Sequence, residues 1–167
     1  MRMEPIDDRD QVRGPETARL LVEYGDYECP FSRQAFRAIE RVERQLPGGL
    51  RFAFRHFPLT TIHPHALAAS AAAEAAAAQG RFWEMHDRLY HRQLALEDDD
   101  LRTYAAELGL GVDRFERDRA AEATLERIRR DVDSGIAAGA EGTPTLFIDG
   151  ELYLGAYDVD SFIEALR

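Results

Sequence analysis

Cys29 is the only cysteine among 167 residues, and it stands in the stretch Tyr-Glu-Cys-Pro-Phe-Ser at residues 27–32. A thiol attacks as its thiolate, and the unpaired N–H groups and positive dipole end of a helix start both favour that form. Pro30 suits the first turn of a helix, where no backbone N–H is needed. The stretch therefore reads as a sulfur activated at a helix start, against the plainer alternative of a buried, inert cysteine. A second stretch, Gly142-Thr-Pro-Thr-Leu-Phe-Ile148, puts a proline at the opening of a strand. Proline costs a ladder hydrogen bond there and needs a reason. One reason is a cis Thr143–Pro144 peptide that turns the preceding backbone groups toward a partner chain; the other is an ordinary trans turn.

These residues need elements to hold them. Ala18 to Tyr24 is apolar enough for a buried strand, broken by Gly25-Asp26. Phe31, Ala35, Phe36, Ile39, Val42 and Leu46 then fall in a helical stripe that Pro47-Gly48-Gly49 ends. Leu50 to Phe57 alternates like a second strand. Strand, helix, strand in this order implies a parallel pair with a right-handed crossover. An alanine-rich helix follows over 64–80, continuing through Phe82, Met85 and Leu89. Further helices are expected over 101–108, 112–119 and 122–138. The chain returns to sheet at Gly142–Ile148, turns at Asp149-Gly150, pairs back, and closes with a helix capped by Asp158 or Asp160. The expected layout is an N-terminal arm over 1–17, an α/β domain from 18–63 and 139–167, and an all-helical insertion over 64–138.

Composition narrows the chemistry. One cysteine excludes an internal disulfide framework and a multi-cysteine zinc site. The formal net charge of −10 argues against nucleic acid or an anionic lipid surface as partner. The alanine run is too short and too weakly apolar for membrane insertion. All 21 basic residues are arginine, so Schiff-base chemistry is excluded. The N-terminus lacks the apolar stretch of a secretory signal, so the chain is expected in the cytoplasm, or outside it if a signal peptide or membrane domain has been removed. His63-x-His65 invites a metal, but two histidines without a matched third ligand fit a loop and helix start better. No metal and no resident cofactor are expected.

Taken together, Tyr-Glu-Cys-Pro-Phe-Ser at the first strand–helix junction, the long helical insertion, and Gly-Thr-Pro-Thr-Leu-Phe-Ile-Asp-Gly before a hairpin resemble the DsbA-like branch of the thioredoxin superfamily. The segments His63-Pro-His65-Ala, Phe82-Trp-Glu-Met-His86 and Gly155-Ala-Tyr-Asp158 are similar to bacterial DsbA-like domains, some of them fused to NhaA-type sodium/proton antiporters. The resemblance implies a thioredoxin-like α/β fold and thiol–disulfide oxidoreductase activity on cysteine-containing proteins or small disulfides. By position, Cys29 becomes the attacking thiol and Thr143-Pro144 a cis-proline loop that holds the substrate chain. Pro30 and Phe31 line the groove between them. Glu23 falls where such proteins place a buried acid that relays protons to the sulfur; the alternative is a solvated strand glutamate.

Ser32 departs from the pattern, which expects a second cysteine to resolve the mixed disulfide. Three explanations stay open: an engineered replacement, a natural monothiol enzyme that uses glutathione or another small thiol as co-substrate, or lost turnover in a binding module. In each, the Ser32 hydroxyl is expected to donate to the Cys29 sulfur. The rival functions are a glutathione-dependent isomerase or transferase and a non-catalytic peptide-binding module.

Overall fold

Two parallel strands, β2 (Arg19–Gly25) and β3 (Leu50–His56), form the centre of the sheet, with Glu23 opposite Phe54. The computed structural model describes residues 2–167. Helix α1 (Pro30–Gln45) makes the crossover between them, burying Ala35, Phe36, Ala38, Ile39 and Val42 on one face. β4 (Thr145–Ile148) runs antiparallel to β2, and β5 (Glu151–Leu152) pairs back on β4. α7 (Val159–Ala165) follows, its first turn capped by the Asp158 carboxylate accepting from the Ser161 N–H at 2.8 Å.

The segment expected as an arm adds a strand. β1 (Gln11–Arg13) pairs antiparallel with β3, giving the sheet order β1-β3-β2-β4-β5. Met3 is buried against the sheet as well. The segment is short and charged, and only Val12 of the three strand residues is apolar, so no alternation marks it.

Five helices lie between β3 and β4. They are α2 (Ala66–Ala77), α3 (Phe82–His91), α4 (Asp98–Glu107), α5 (Val112–Ala120) and α6 (Glu122–Ala137). α2 is buried almost all round, and its methyl side chains let α3, α4, α5 and α6 all pack against it. The apolar pattern that continues from α2 into α3 is interrupted at Gly80, which has φ of 77°.

Strand alternation sends side chains to two different cores. Leu21, Phe52 and Phe54 face α1 and the helical insertion, joined by Tyr27, Phe36, Met85, Leu89 and Tyr90. Val22, Tyr24 and Ala53 face the other side, with Met3, Phe57 and Phe147. Gly135 lets α6 approach that second face: a Cβ there would lie 2.8 Å from the Phe57 ring and 2.9 Å from Tyr24.

Candidate active site

The loop Asp26–Glu28 carries the chain from the end of β2 to the start of α1. The Cys29 N–H donates to Asp26 O at 3.1 Å, and the Arg33 N–H donates to Cys29 O at 3.1 Å. Cys29 is thus the N-cap of α1, in extended conformation (φ −76°, ψ 125°), with Pro30 in the first turn. It is 3% exposed. Its Sγ lies 3.5 Å from the backbone oxygen of Thr143, toward which the S–H points as donor. The Thr143–Pro144 peptide is cis. Two stretches 114 residues apart in sequence therefore meet at one sulfur.

Phe31 directs its ring outward, 61% exposed, and leaves the buried stripe of α1 to the residues from Ala35 onward. On the other side of the sulfur, Thr143, Pro144, Tyr153, Leu154 and Tyr157 line a cleft of about 300 Å³. The Tyr157 hydroxyl donates to Pro144 O at 3.4 Å. Burial, then the neighbouring Cys29 and Glu23, push that hydroxyl's pKa up.

Ser32 is fully buried and faces differently from expectation. Its Oγ accepts the Asp26 N–H at 3.2 Å, and among the described residues no hydrogen bond joins it to Cys29. Position 32 supports the loop that presents the cysteine, because the first turn of α1 points the side chain back under that loop.

Glu23 is no solvated strand residue. It is 1% exposed, and its Oε2 has no hydrogen-bond partner. Burial alone pushes its carboxyl up to about 8, so it holds its proton at neutral pH. Gly25, two residues on and on the same face, makes room for it: a Cβ at Gly25 would lie 2.4 Å from Glu23 Oε2.

Five further residues shape the site. Asp26 is wholly buried; its carboxylate accepts the Glu28 N–H at 2.7 Å, the Leu59 N–H at 2.9 Å and shares a 2.7 Å bond with His63 Nδ1. Glu28 engages His65 twice, accepting its N–H at 2.9 Å and bonding its Nδ1 at 2.6 Å. That bond raises the His65 pKa. The two histidines are thus spent on the two acids flanking Tyr27, and among the described residues no group of three or more His, Cys, Asp or Glu side chains is placed to hold a metal ion. The sequence carries a signal for this pairing: Asp26-x-Glu28 and His63-x-His65 share the same spacing. Gln93 has no such signal. From the loop after α3, its amide donates to both Tyr27 O and Cys29 O at 2.9 Å.

A cysteine capping the first helix after a central strand, beside a proline loop leading into an antiparallel strand, defines a thioredoxin-fold thiol domain. Residues 20–167 match the DSBA-like thioredoxin domain, and the chain belongs to that family. It is 43% identical over 166 residues to the Na(+)/H(+) antiporter NhaA 1 of Salinispora arenicola, covering 98% of this chain and 25% of the antiporter. The NhaA antiporter of Herminiimonas arsenicoxydans is 44% identical over 168 residues, covering 98% and 27%. The chain thus spans about a quarter of the length of these relatives. Among solved structures it is similar to a thioredoxin-like oxidoreductase from Silicibacter pomeroyi, with a TM-score of 0.84 at 25% identity, covering 95% of this chain and 91% of that one. BdbD from Bacillus subtilis shares the fold at a TM-score of 0.85 and 19% identity, covering 99% and 95%. No helix among the described residues is long and apolar enough to cross a membrane.

Proposed function

We propose that the protein is a thiol–disulfide oxidoreductase that works through one thiol. The observation that carries this is the Cys29 sulfur at the first turn of α1, 3.5 Å from the carbonyl that precedes Pro144. The Cys29 thiolate attacks a substrate disulfide; a new S–S bond forms, the old one breaks, and the leaving thiolate takes a proton. Glu23 serves as the buried group that gives or takes that proton, poised by its upward shift to about 8. With Ser32 where a resolving thiol is expected, the mixed disulfide persists until an external thiol such as glutathione releases it. Substrates are cysteine-containing proteins or small disulfides, held between Phe31 with Pro30 and the Thr143-Pro144 loop. The naming of its relatives as antiporters supports a setting beside a membrane transporter.

A non-catalytic peptide-binding module is the second reading, favoured by the 3% exposure of Cys29. Mass spectrometry of the folded protein with a glutathione-linked reporter peptide separates the two. The expected result is a long-lived adduct on Cys29, none in Cys29→Ala, and a shortened lifetime in Ser32→Cys. An adduct that forms only after denaturation would leave the module standing.

A further inference from the structure

Helix α1 carries Arg33, Arg37, Arg41 and Arg44 but only two carboxylates, Glu40 and Glu43. Both are engaged elsewhere. Glu43 binds Arg13 at 2.8 Å, and Glu40 binds His91 at 3.0 Å and Arg44 at 3.6 Å. Arg33 and Arg37 are thereby left without a carboxylate partner among the described residues, in a chain with 31 acidic groups. Arg33 spends its Nε on Tyr90 O at 3.2 Å, which fixes the guanidinium and leaves its terminal nitrogens free. Arg37 lies one turn further on and is exposed. With Pro30, Gln34 and Gln93, the two line a cleft of about 200 Å³. Pro30 is bonded to Cys29, and Gln93 grips the Cys29 carbonyl, so the cleft abuts the sulfur's own backbone.

We propose that this cleft seats the carboxylate end of a low-molecular-weight thiol, the R group of a Cys29–S–S–R mixed disulfide. The inference rests on the thiol–disulfide reading above and names its co-substrate class. Two guanidinium groups one turn apart match a carboxylate in charge and in donor geometry. The volume is below the roughly 300–1,000 Å³ of a drug-sized ligand site, which favours the end of a small molecule over a protein segment. In the cycle, the Cys29 thiolate attacks R–S–S–R′, forming Cys29–S–S–R and releasing R′–S⁻, which takes up a proton. A second R–S⁻, the deprotonated form of R–SH, then attacks the R sulfur, giving R–S–S–R and regenerating the Cys29 thiolate. Summed, R′–S–S–R and R–SH become R′–SH and R–S–S–R, so the small thiol is the reductant and the R′ sulfur is reduced.

The test compares reaction rates of Cys29 with 3,3′-dithiodipropionate, 2-hydroxyethyl disulfide and cystamine, each divided by its rate with an unstructured cysteine peptide. A net charge of −10 on its own would favour the cationic cystamine. The seat predicts the reverse, with the dianion ahead by about ten-fold, the worth of one good charge-assisted hydrogen bond. Arg33→Gln with Arg37→Gln removes that lead, while Arg41→Gln, which deletes the same charge outside the cleft, keeps the order. Cystamine reacting fastest with the native protein, or an order untouched by the double substitution, overturns the seat. Should none of the three reagents react, the redox reading fails by itself. Calorimetry with S-methylglutathione then decides the seat: binding lost in the double variant upholds it, and no binding to the native protein overturns it.

Discussion

The two faces of the central strands bury charge in opposite ways. On the face toward α6, Arg55 is 3% exposed and every N–H of its guanidinium has an acceptor. Asp10 takes two of them at 2.8 and 3.0 Å, and the Tyr24 hydroxyl and the carbonyls of Glu4 and Pro5 take the rest. On the face toward α1, Glu23 is equally buried and meets no partner at Oε2. The neighbouring positions in register, Phe54 and Leu146, are apolar. A satisfied buried charge ties the N-terminal segment to the sheet. An unsatisfied acid, pushed up by burial alone, keeps its proton instead.

Breaking the satisfied face should have the largest effect. Asp10→Ala leaves the Arg55 charge buried without its carboxylate, and should cost about 3–5 kcal/mol. Urea unfolding would measure the loss, and the rate of Cys29 mixed-disulfide formation should stay unchanged. A parallel loss of thiol reactivity would show that the two faces are not separable.

Glu23→Gln should act in the other direction. In the folded chain Glu23 keeps its proton up to about pH 8, against 4.5 for an ordinary glutamate. Between those values the folded state binds more protons than the unfolded one, so stability falls as pH rises and levels off above about 8. The amide removes that slope. The variant should match the native protein below pH 4.5 and exceed it by a few kcal/mol at alkaline pH. The size follows from the rule that each tenfold difference in proton affinity between folded and unfolded chain is worth about 1.4 kcal/mol. Denaturant midpoints across the range check this; an unchanged slope would remove Glu23 from its role in the contrast.

Gln93→Ala is the smallest of the three. It strips two carbonyls of the cysteine loop of their donor and should cost about 1–3 kcal/mol. Hydrogen exchange at the amides of residues 27–33 should quicken locally, with the Arg55 face unaffected. Uniform quickening across the sheet would mean that the amide supports the whole fold rather than the loop.

Much of this is legible in the sequence where local chemistry and position coincide. Cys29-Pro30 marks its own helix start, and the strand ahead of it and the Thr143-Pro144 strand opening are written in short apolar runs. What stays hidden depends on distant pairing. β1 shows one apolar residue in three and exists because β3 offers it an edge. Gln93 reaches carbonyls 64 and 66 residues away, and nothing in its own neighbourhood records that. Ser32 reads toward the sulfur because it is close in sequence, yet the buried face of the first turn gives it to Asp26. From its own neighbours Glu23 is visible only as a glutamate in an apolar strand; the expectation of a buried acid comes with the family resemblance, and its physical reason appears once Gly25 is seen to vacate the space.

The margins of the sheet carry a last consequence. One edge strand has three residues and the other two. An extended chain arriving from solution finds almost no continuous row of free N–H and C=O groups along which to zip. The same short margins offer a second copy of the protein little edge along which to pair.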